Sequence, residues 1–225
     1  MKIVITGATG FTGHEVLKQC IEHSSITSIV VLSRRQLPGS VADPKVKVIV
    51  LDNFLEYSPS TLSELKGADA CIWTLGKPYI ADRKEARTVS IDYTMTAAKA
   101  FTKDTVASEG RFRFVYVSGV AVVRDQNKSL WFVGEYRKIR GQVEYELTEQ
   151  AKRNPAVFES YILRPGAILN EGYSLRNIAW LLGPSVRVEV LARAMIDIAL
   201  NGFEKDTLEN KDVVEGWDTG VRNPQ

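Results

Sequence analysis

The chain has 225 residues, 44% of them hydrophobic and 25% charged, which is typical of a globular protein with a sizeable core. Its formal net charge of +2 gives no electrostatic footprint for nucleic acid, and two histidines and two cysteines are too few for a His/Cys metal site or a disulfide framework. No apolar run reaches membrane-spanning length and the N-terminus lacks a secretory-signal pattern, so we expect a cytoplasmic protein with no membrane partner, no nucleic-acid partner and no metal.

Strand and helix patterns alternate along the chain. Short runs rich in β-branched residues predict strands at 2–6, 28–32, 46–51, 68–73, 112–117 and 160–163. Apolar residues at helical spacing predict helices at about 11–23, 82–103, 135–152 and 190–201, the last followed by a capping glycine, Gly202. This alternation implies right-handed crossovers, so we predict a single doubly wound α/β domain over residues 1–225, with a mainly parallel sheet covered on both faces.

The stretch VITGATGFTG, residues 4–13, places glycines between the first predicted strand and the first predicted helix. A glycine-rich turn in this context favours phosphate binding, because backbone N–H groups can face an anion at the positive end of the helix. The spacing is Gly-x-x-Gly-x-x-Gly rather than Gly-x-Gly-x-x-Gly, and the alternative is a tight turn that only packs the helix against the strand. The predicted dinucleotide phosphate site consists of Gly7, Thr9, Gly10, Phe11, Thr12 and Gly13.

The end of the second predicted strand indicates which dinucleotide is bound. An NAD-binding protein usually carries Asp or Glu here, about 20 residues beyond the loop, to hold the ribose 2′-hydroxyl. This chain instead reads Ser33-Arg34-Arg35. Two guanidinium groups offer forked donors to a 2′-phosphate, so we predict NADP(H) as the cofactor, bound by Arg34 and Arg35. The alternative is a solvated strand end that binds nothing.

Several short motifs follow one another in a fixed order. They are GATGFTG in the first turn, LSRR after strand two, LD at 51–52, TLG at 74–76, VSG at 117–119, a Tyr-x-x-x-basic helix, and LRPG at 163–166. In this order they resemble the atypical short-chain dehydrogenases/reductases of the NAD(P)H-binding, NmrA-like group, which have a Rossmann-type fold, over nearly the whole chain. The stretch TLENKDVVEG is similar to the endings of the Tat-interacting oxidoreductase-like proteins of that group.

The resemblance implies further cofactor contacts at the carboxyl ends of the predicted strands, where open α/β sheets place their ligands. Asp52 would accept a hydrogen bond from the adenine amino group, with Asn53 beside it. The implied contacts of the adenosine ribose are Thr74, Leu75 and Gly76. The residues implied to lie near the nicotinamide are Pro165, Gly166 and Ile168. The alternative interpretation is that Asp52 is only a turn residue and that Pro165 and Gly166 only end a strand.

Short-chain reductases pair a proton-donating Tyr with a Lys four residues later, and a Ser or Thr after strand five positions the substrate oxygen. The sequence EYRKIRGQVE offers Tyr136 as the donor and Arg140 as its basic partner on one helix face. Arg supplies a positive charge but cannot share a proton as Lys does. Ser118 is the candidate hydroxyl, unless the catalytic position is the next one, which Gly119 fills without a hydroxyl. The alternative is a surface Tyr–Arg pair on an amphipathic helix.

These residues predict an NADPH-dependent reductase of a small carbonyl or conjugated substrate, with Tyr136, Arg140 and Ser118 as its catalytic residues. Two other functions stay open because the proton-donating half of the site departs from the family pattern. The first is a non-catalytic NADP(H)-binding sensor or regulator. The second is an isomerase or lyase on the same fold, without net redox chemistry.

The segments expected to shape a substrate site lie at about 119–134 and 167–189, and a C-terminal tail is expected at about 216–225. Further candidates to face a substrate are Arg124, Asp125 and Trp131. The Tyr-bearing helix is too charged for an obvious apolar dimer face, so we expect a monomer that binds a small-molecule substrate.

Overall fold

The structure is a computed structural model that describes residues 1–37, 43–77, 79–104, 110–170 and 183–218. Its strands are β1 (Lys2–Thr6), β2 (Ser28–Ser33), β3 (Val46–Val50), β4 (Ala70–Trp73), β5 (Phe112–Val117), β6 (Phe158–Arg164), β7 (Ala167–Leu169), β8 (Ser185–Arg187) and β9 (Thr207–Glu209). Its helices are α1 (Phe11–Glu22), α2 (Pro59–Leu65), α3 (Arg83–Arg87), α4 (Tyr93–Asp104), α5 (Gly134–Arg153), α6 (Val188–Asn201) and α7 (Asn210–Trp217). A π-helical turn, Thr88–Asp92, joins α3 to α4.

Seven of the described strands form one parallel sheet in the order β3-β2-β1-β4-β5-β6-β9, while β7 and β8 form a small parallel pair. In the middle of the large sheet, Ile3 of β1 lies opposite Ile29 of β2 on one side and Ala70 of β4 on the other. The chain adds strands outward from β1 in one direction and then, beginning with β4, in the other. Such a reversal leaves a crevice at the carboxyl ends of the strands, where open α/β sheets bind ligands.

Helices cover both faces of the sheet, because the central strands are apolar on both sides. On one face, α1, α6 and α7 bury residues such as Val16, Leu191 and Trp217 against the strands. On the other face, α4 and α5 bury Phe101 and Leu147 in a layer rich in aromatic rings. The doubly wound Rossmann-type α/β fold predicted from the sequence is confirmed.

Two helical segments differ from the prediction. The helix predicted at 82–103 is divided by the π-helical turn into α3 and α4, because an i→i+5 turn interrupts the α-helical hydrogen-bond pattern. Helix α2 was not predicted, although the Ser58 side chain accepts a hydrogen bond from Thr61 N as an N-cap and Pro59 is the first helical residue. The signal for this short helix was therefore in the sequence.

The predicted C-terminal tail at 216–225 is wrong at its beginning. Gly216 and Trp217 end helix α7, and the Trp217 side chain is only 3% exposed. A reciprocal capping box between Glu209 and Asp212 starts this helix, so the resembling stretch TLENKDVVEG encodes a strand followed directly by a capped helix. The rest of the predicted tail, from 219 onward, and positions 171–182 of the predicted substrate segment lie outside the described residues.

Candidate nucleotide and substrate site

The turn between β1 and α1 requires glycine at two positions. Gly7 has a φ of 72°, and a Cβ added to it would lie 2.5 Å from Thr74 Oγ1. A Cβ added to Gly13 would lie 2.2 Å from the Gly7 carbonyl oxygen, which accepts a 2.8 Å hydrogen bond from Gly10 N. The backbone here is packed more closely than a side chain allows.

Thr74 closes this turn from the neighbouring strand. Its hydroxyl donates a 2.6 Å hydrogen bond to the Thr6 carbonyl oxygen, so the carboxyl ends of β1 and β4 are joined at the reversal point of the sheet. Leu75, which follows, is half-buried, and Gly76 is exposed. The predicted ribose contacts therefore begin directly beside the glycine turn.

The N-terminus of α1 is open to a ligand. Its N-cap residue is Gly10, which has no side chain to cap the first-turn amides. Around it, Thr9 and Thr12 are half-buried and Phe11 is exposed. Helix N-termini without a side-chain cap bind anions well, so the tight glycine turn and this helix end together fit the pyrophosphate of a dinucleotide.

Charged side chains surround the far end of the crevice, where β2 and β3 stop. Arg34 and Arg35 are exposed after β2, and Asp52 and Asn53 are exposed after β3. A 2.8 Å hydrogen bond from Leu51 N to the carbonyl oxygen of the last residue of β2 keeps the two strand ends side by side. Within the described residues, no hydrogen bond or ion pair engages these two guanidinium groups or the Asp52 carboxylate. Among the residues that the structure describes, these two cations and one carboxylate are thus unengaged at the strand ends.

The other end of the crevice is built where β6 stops. Pro165 is buried there, and Gly166 and Ile168 are half-buried. A Cβ on Gly166 would lie 1.8 Å from the Pro184 carbonyl oxygen, and Gly166 N donates a 2.8 Å hydrogen bond to Asn210 Oδ1. Sequence reasoning missed Asn210, because it begins α7 and lies 44 residues further along the chain.

Tyr136 reaches the end of β4 from the first turn of α5. Its side chain is 8% exposed, and its hydroxyl donates a 2.5 Å hydrogen bond to the carbonyl oxygen of Lys77. The ring of Tyr79 packs edge-on against the Tyr136 ring, with 5.6 Å between centroids. The phenol is therefore held by both its ring and its oxygen, close to the predicted ribose contacts.

Arg140 reaches the end of β5 from the next turn of α5. Its guanidinium lies 5.7 Å from the ring centroid of Tyr116 and 6.0 Å from that of Tyr136, which is cation–π distance. Its Nη2 donates a 2.8 Å hydrogen bond to Val117 O, and its Nη1 lies 3.4 Å from the Tyr136 hydroxyl. Burial raises the pKa of the Tyr116 hydroxyl, although the Arg140 charge favours its ionised form. The Nε atom of Arg140 is buried with no hydrogen-bond partner among the described residues.

Ser118, which follows β5, donates its hydroxyl proton to Glu144 Oε1 of α5 across 2.5 Å. Glu144 is fully buried and also accepts hydrogen bonds from Arg124 Nε at 2.7 Å and from Arg164 Nε at 3.0 Å. Burial alone would raise the pKa of Glu144, but hydrogen bonds from Arg164, Ser118 and Arg124 outweigh it and lower that pKa. Sequence reasoning missed Glu144, although its position four residues after Arg140 puts it on the same helix face.

The loop residues predicted to face a substrate have different surroundings. Arg124 is bonded to the buried Glu144 and, through Nη2, to Thr207 Oγ1 at 2.9 Å. Asp125 accepts a 2.9 Å hydrogen bond from Asn127 N within its own turn. Trp131 is fully exposed. Arg124 is therefore a structural link between α5 and β9.

Several sequence relatives and many solved structures resemble this chain. It is 42% identical over 119 residues to the leucinostatins biosynthesis cluster protein T of Purpureocillium lilacinum, covering 52% of this chain and 42% of that protein, so it spans less than half of this relative. It is 24% identical over 238 aligned positions to the mitochondrial protein FMP52 of Candida albicans, covering 99% of this chain and 97% of that protein.

The fold is similar to that of Gre2 from Candida albicans in complex with NADPH, with a TM-score of 0.67, 15% identity, and coverage of 93% of this chain and 77% of that chain. It is also similar to that of DesIV, a dTDP-glucose 4,6-dehydratase from Streptomyces venezuelae with NAD bound, with a TM-score of 0.69, 15% identity, and coverage of 99% and 82%. At these identities the likeness shows a shared fold.

The glycine turn from Gly7 onward and strands β2 to β6 fall within residues 7–200, which match the NAD(P)H-binding family. That match spans most of the chain and agrees with a glycine turn that fits a pyrophosphate. The chain therefore belongs to the NAD(P)H-binding family and has the fold of the atypical short-chain dehydrogenases/reductases.

Proposed function

We propose that the chain is an NADPH-dependent oxidoreductase of the atypical short-chain, NmrA-like type, which reduces a small carbonyl or conjugated substrate. The observation that carries this proposal is the position of the Tyr136 hydroxyl and the Arg140 guanidinium. Their bonds to the carbonyl oxygens of Lys77 and Val117 hold them at the ends of β4 and β5, on the same edge of the sheet as the glycine turn. A proton donor, Tyr136, and a cation, Arg140, thus lie beside the crevice proposed to bind the dinucleotide.

In this proposal the cofactor extends from the ends of β2 and β3 to the end of β6. Its pyrophosphate would be held by the backbone N–H groups of residues 7–13, and its 2′-phosphate by Arg34 and Arg35. The adenine would contact Asp52 and Asn53, and the adenosine ribose would contact Thr74, Leu75 and Gly76. The nicotinamide would lie near Pro165, Gly166 and Ile168. When bound, NADPH supplies the hydride that reduces the substrate.

Tyr136 would donate a proton to the substrate oxygen. Its hydroxyl proton is directed at Lys77 O, so a substrate oxygen has to replace this acceptor within hydrogen-bond reach. The charge of Arg140, which lies 3.4 Å from the phenol oxygen through Nη1, would stabilise negative charge on that oxygen after the transfer. Because Arg stays protonated at ordinary pH, the proton would return to Tyr136 from solvent rather than through Arg140.

A cofactor-binding sensor or regulator without turnover is the second candidate. It is favoured by the way Arg140 is held: one arm bonds to Val117 O, and the Nε atom is buried without a partner in the described residues. An Arg fixed on the backbone in this manner serves structure as well as it serves catalysis. An isomerase or lyase with bound dinucleotide would use the same crevice without net consumption of NADPH.

Location and assembly belong to the same proposal. None of the helices in the described parts of the chain combines the length and apolarity needed to cross a membrane. We retain the cytoplasm as the proposed location, while the relative FMP52 is named as mitochondrial. The protein is proposed to work as a monomer on a small-molecule substrate.

Two measurements on the purified protein test the proposed reaction. Titration with NADPH, followed by nicotinamide fluorescence, is expected to show saturable binding. Loss of NADPH absorbance is then expected with at least one class in a panel of quinones, enals and ketones. Saturable binding without turnover across the panel would favour the sensor, and product formation without NADPH loss would favour the isomerase or lyase. No detectable affinity for either NADPH or NADH would overturn all three.

Replacing both Arg34 and Arg35 by Ala is expected to weaken NADPH binding about 10- to 100-fold and to leave NADH binding unchanged. The reason is that charge-assisted hydrogen bonds contribute about 1.5–3 kcal/mol, and NADH lacks the phosphate that would receive them. The matched control is Arg153→Ala, an exposed Arg in the last turn of α5, which is expected to change neither affinity. A double variant that keeps the wild-type preference for NADPH over NADH would show that the cofactor assignment is wrong.

A further inference from the structure

A buried carboxylate lies beside the candidate site and has no part in the proposed reaction. Glu144 is fully buried on the face of α5 that carries Tyr136, and its oxygens accept hydrogen bonds from Ser118, Arg124 and Arg164. A buried charge is costly unless such donors satisfy it. Here, the donors come from three other parts of the chain, and one of them is the hydroxyl that the resemblance assigns to the substrate.

The direction of the hydrogen bond between Ser118 and Glu144 is fixed by chemistry. Since its pKa is lowered, Glu144 is ionised at neutral pH and its oxygens can only accept. A hydroxyl has one proton, and Ser118 donates it to Glu144 across 2.5 Å. The Ser118 oxygen can therefore serve a ligand only as an acceptor. While this bond is made, Ser118 cannot donate to a carbonyl substrate.

Arg124 and Arg164 keep the carboxylate in this orientation. Arg124 also bonds Thr207 Oγ1 at 2.9 Å, and Arg164 Nη1 bonds Glu209 Oε1 at 2.9 Å. Both arginines are thus tied to β9, at the edge of the sheet. The carboxylate that accepts the Ser118 proton is consequently held by two arginines that are bonded to a strand of the sheet.

Ser118 is adjacent to the end of the crevice proposed to receive the nicotinamide. Ser118 N donates a 2.7 Å hydrogen bond to Leu163 O, and Val120 N donates a 3.0 Å hydrogen bond to Pro165 O. The residues that follow β5 therefore lie alongside Pro165, which follows β6 and precedes Gly166. A nicotinamide lying there carries a carboxamide, whose N–H group is the complement of an acceptor-only oxygen.

We infer that Glu144 is a positioning residue which acts through Ser118: it takes the hydroxyl proton and so leaves Ser118 Oγ to accept a hydrogen bond from the carboxamide N–H of a bound nicotinamide. This inference rests on the proposed function, since it requires a dinucleotide in the crevice. The substrate oxygen is then left to the two groups that carry donors, Tyr136 and Arg140. A substrate hydroxyl could also donate a hydrogen bond to Ser118 Oγ. For that reason the test uses the dinucleotide without any substrate.

The test compares NADPH with 2′-phospho-ADP-ribose, which keeps the phosphates but lacks the nicotinamide. Ser118→Ala and Glu144→Gln are each expected to weaken NADPH binding about two- to tenfold, the worth of one hydrogen bond, and to leave the affinity for 2′-phospho-ADP-ribose unchanged. The double variant should bind NADPH no more weakly than Ser118→Ala alone, because Glu144 acts through Ser118. The control, Glu149→Gln, removes an exposed ion pair with Lys152 on the same helix and should bind as wild type.

A merely structural Glu144 gives a different pattern. Glu144→Gln would then lower the melting temperature, since two half-buried arginines, Arg124 and Arg164, lose a buried counter-charge, but would leave NADPH affinity as in the wild type. Should Glu144→Gln fail to fold, Glu144→Asp keeps the charge while shortening its reach to Ser118, and it is expected to weaken NADPH binding as Ser118→Ala does. Wild-type affinity in Ser118→Ala or in Glu144→Asp, or additive losses in the double variant, would overturn the inference. Absence of NADPH binding by the wild-type protein would instead overturn the proposed function.

Discussion

Tyr136→Phe is expected to lower the turnover rate about 10²- to 10⁴-fold, which is the usual contribution of a positioned general acid. The substitution removes one oxygen and leaves the ring, which packs against Tyr79 and lines the aromatic layer under α5. NADPH affinity should therefore stay within about twofold of the wild type, because the hydroxyl bonds to Lys77 O rather than to the glycine turn. Steady-state rates and a fluorescence titration on the same preparation separate these two effects.

Tyr145→Phe is the matched control for this experiment. Tyr145 lies on the same helix, is 55% exposed, and shares a surface pocket with Asn154 and Val157, which precede β6 and so lie away from the carboxyl ends of the strands. It should turn over as the wild type does. If Tyr136→Phe kept a rate within about tenfold of the wild type, the phenol would not be the proton donor, and another group at the ends of β4 and β5 would have to supply the proton.

Gly13→Ala is expected to abolish dinucleotide binding and to lower the free energy of unfolding by about 1–3 kcal/mol or more. The added Cβ would lie 2.2 Å from the Gly7 carbonyl oxygen and 2.6 Å from Thr74 Oγ1. Both contacts are with groups that cannot rotate away freely, since the Gly7 oxygen is backbone and the Thr74 hydroxyl is bonded to Thr6 O. Thermal unfolding and NADPH titration measure the two expected losses.

The control for this prediction is Gly216→Ala, in the last turn of α7. A Cβ there would meet no atom within 4 Å, and Ala has the higher helix propensity, so the melting temperature should stay the same or rise. NADPH binding should not change. A folded Gly13→Ala variant that still bound NADPH as the wild type does would show that the glycine turn is not the phosphate site.

Much of the fold was predictable from local patterns. The central strands are short apolar runs buried on both faces, and the glycine turn follows the first of them, so position along the chain was sufficient to place both. The three-residue strand β9 was not predictable in this way. It pairs with β6 at Thr207 to Glu209, and a pairing between segments this far apart in the chain leaves no periodic pattern in so short a stretch.

The candidate site was predictable only in part. Tyr136 and Arg140 could be placed on one face of a helix from their spacing, and the structure has them side by side, 3.4 Å apart at their nearest polar atoms. The surroundings of Glu144 could not be predicted, because its burial depends on Arg124 and Arg164 from two other parts of the chain. For the same reason, the sequence suggested only that Arg124 faces a substrate. Its role as a link between α5 and β9 could not be predicted.

The hydrogen bond between Thr74 and Thr6 also has a kinetic consequence. These residues are 68 positions apart, so the glycine turn gains its closing contact only after β4 has been inserted beside β1. Contacts of such long sequence separation form slowly, because the entropy of closing the intervening loop opposes them. During refolding, competence to capture a dinucleotide should consequently appear late, after the first strand–helix–strand unit has assembled, and a fragment ending before Ala70 should stay unable to bind one.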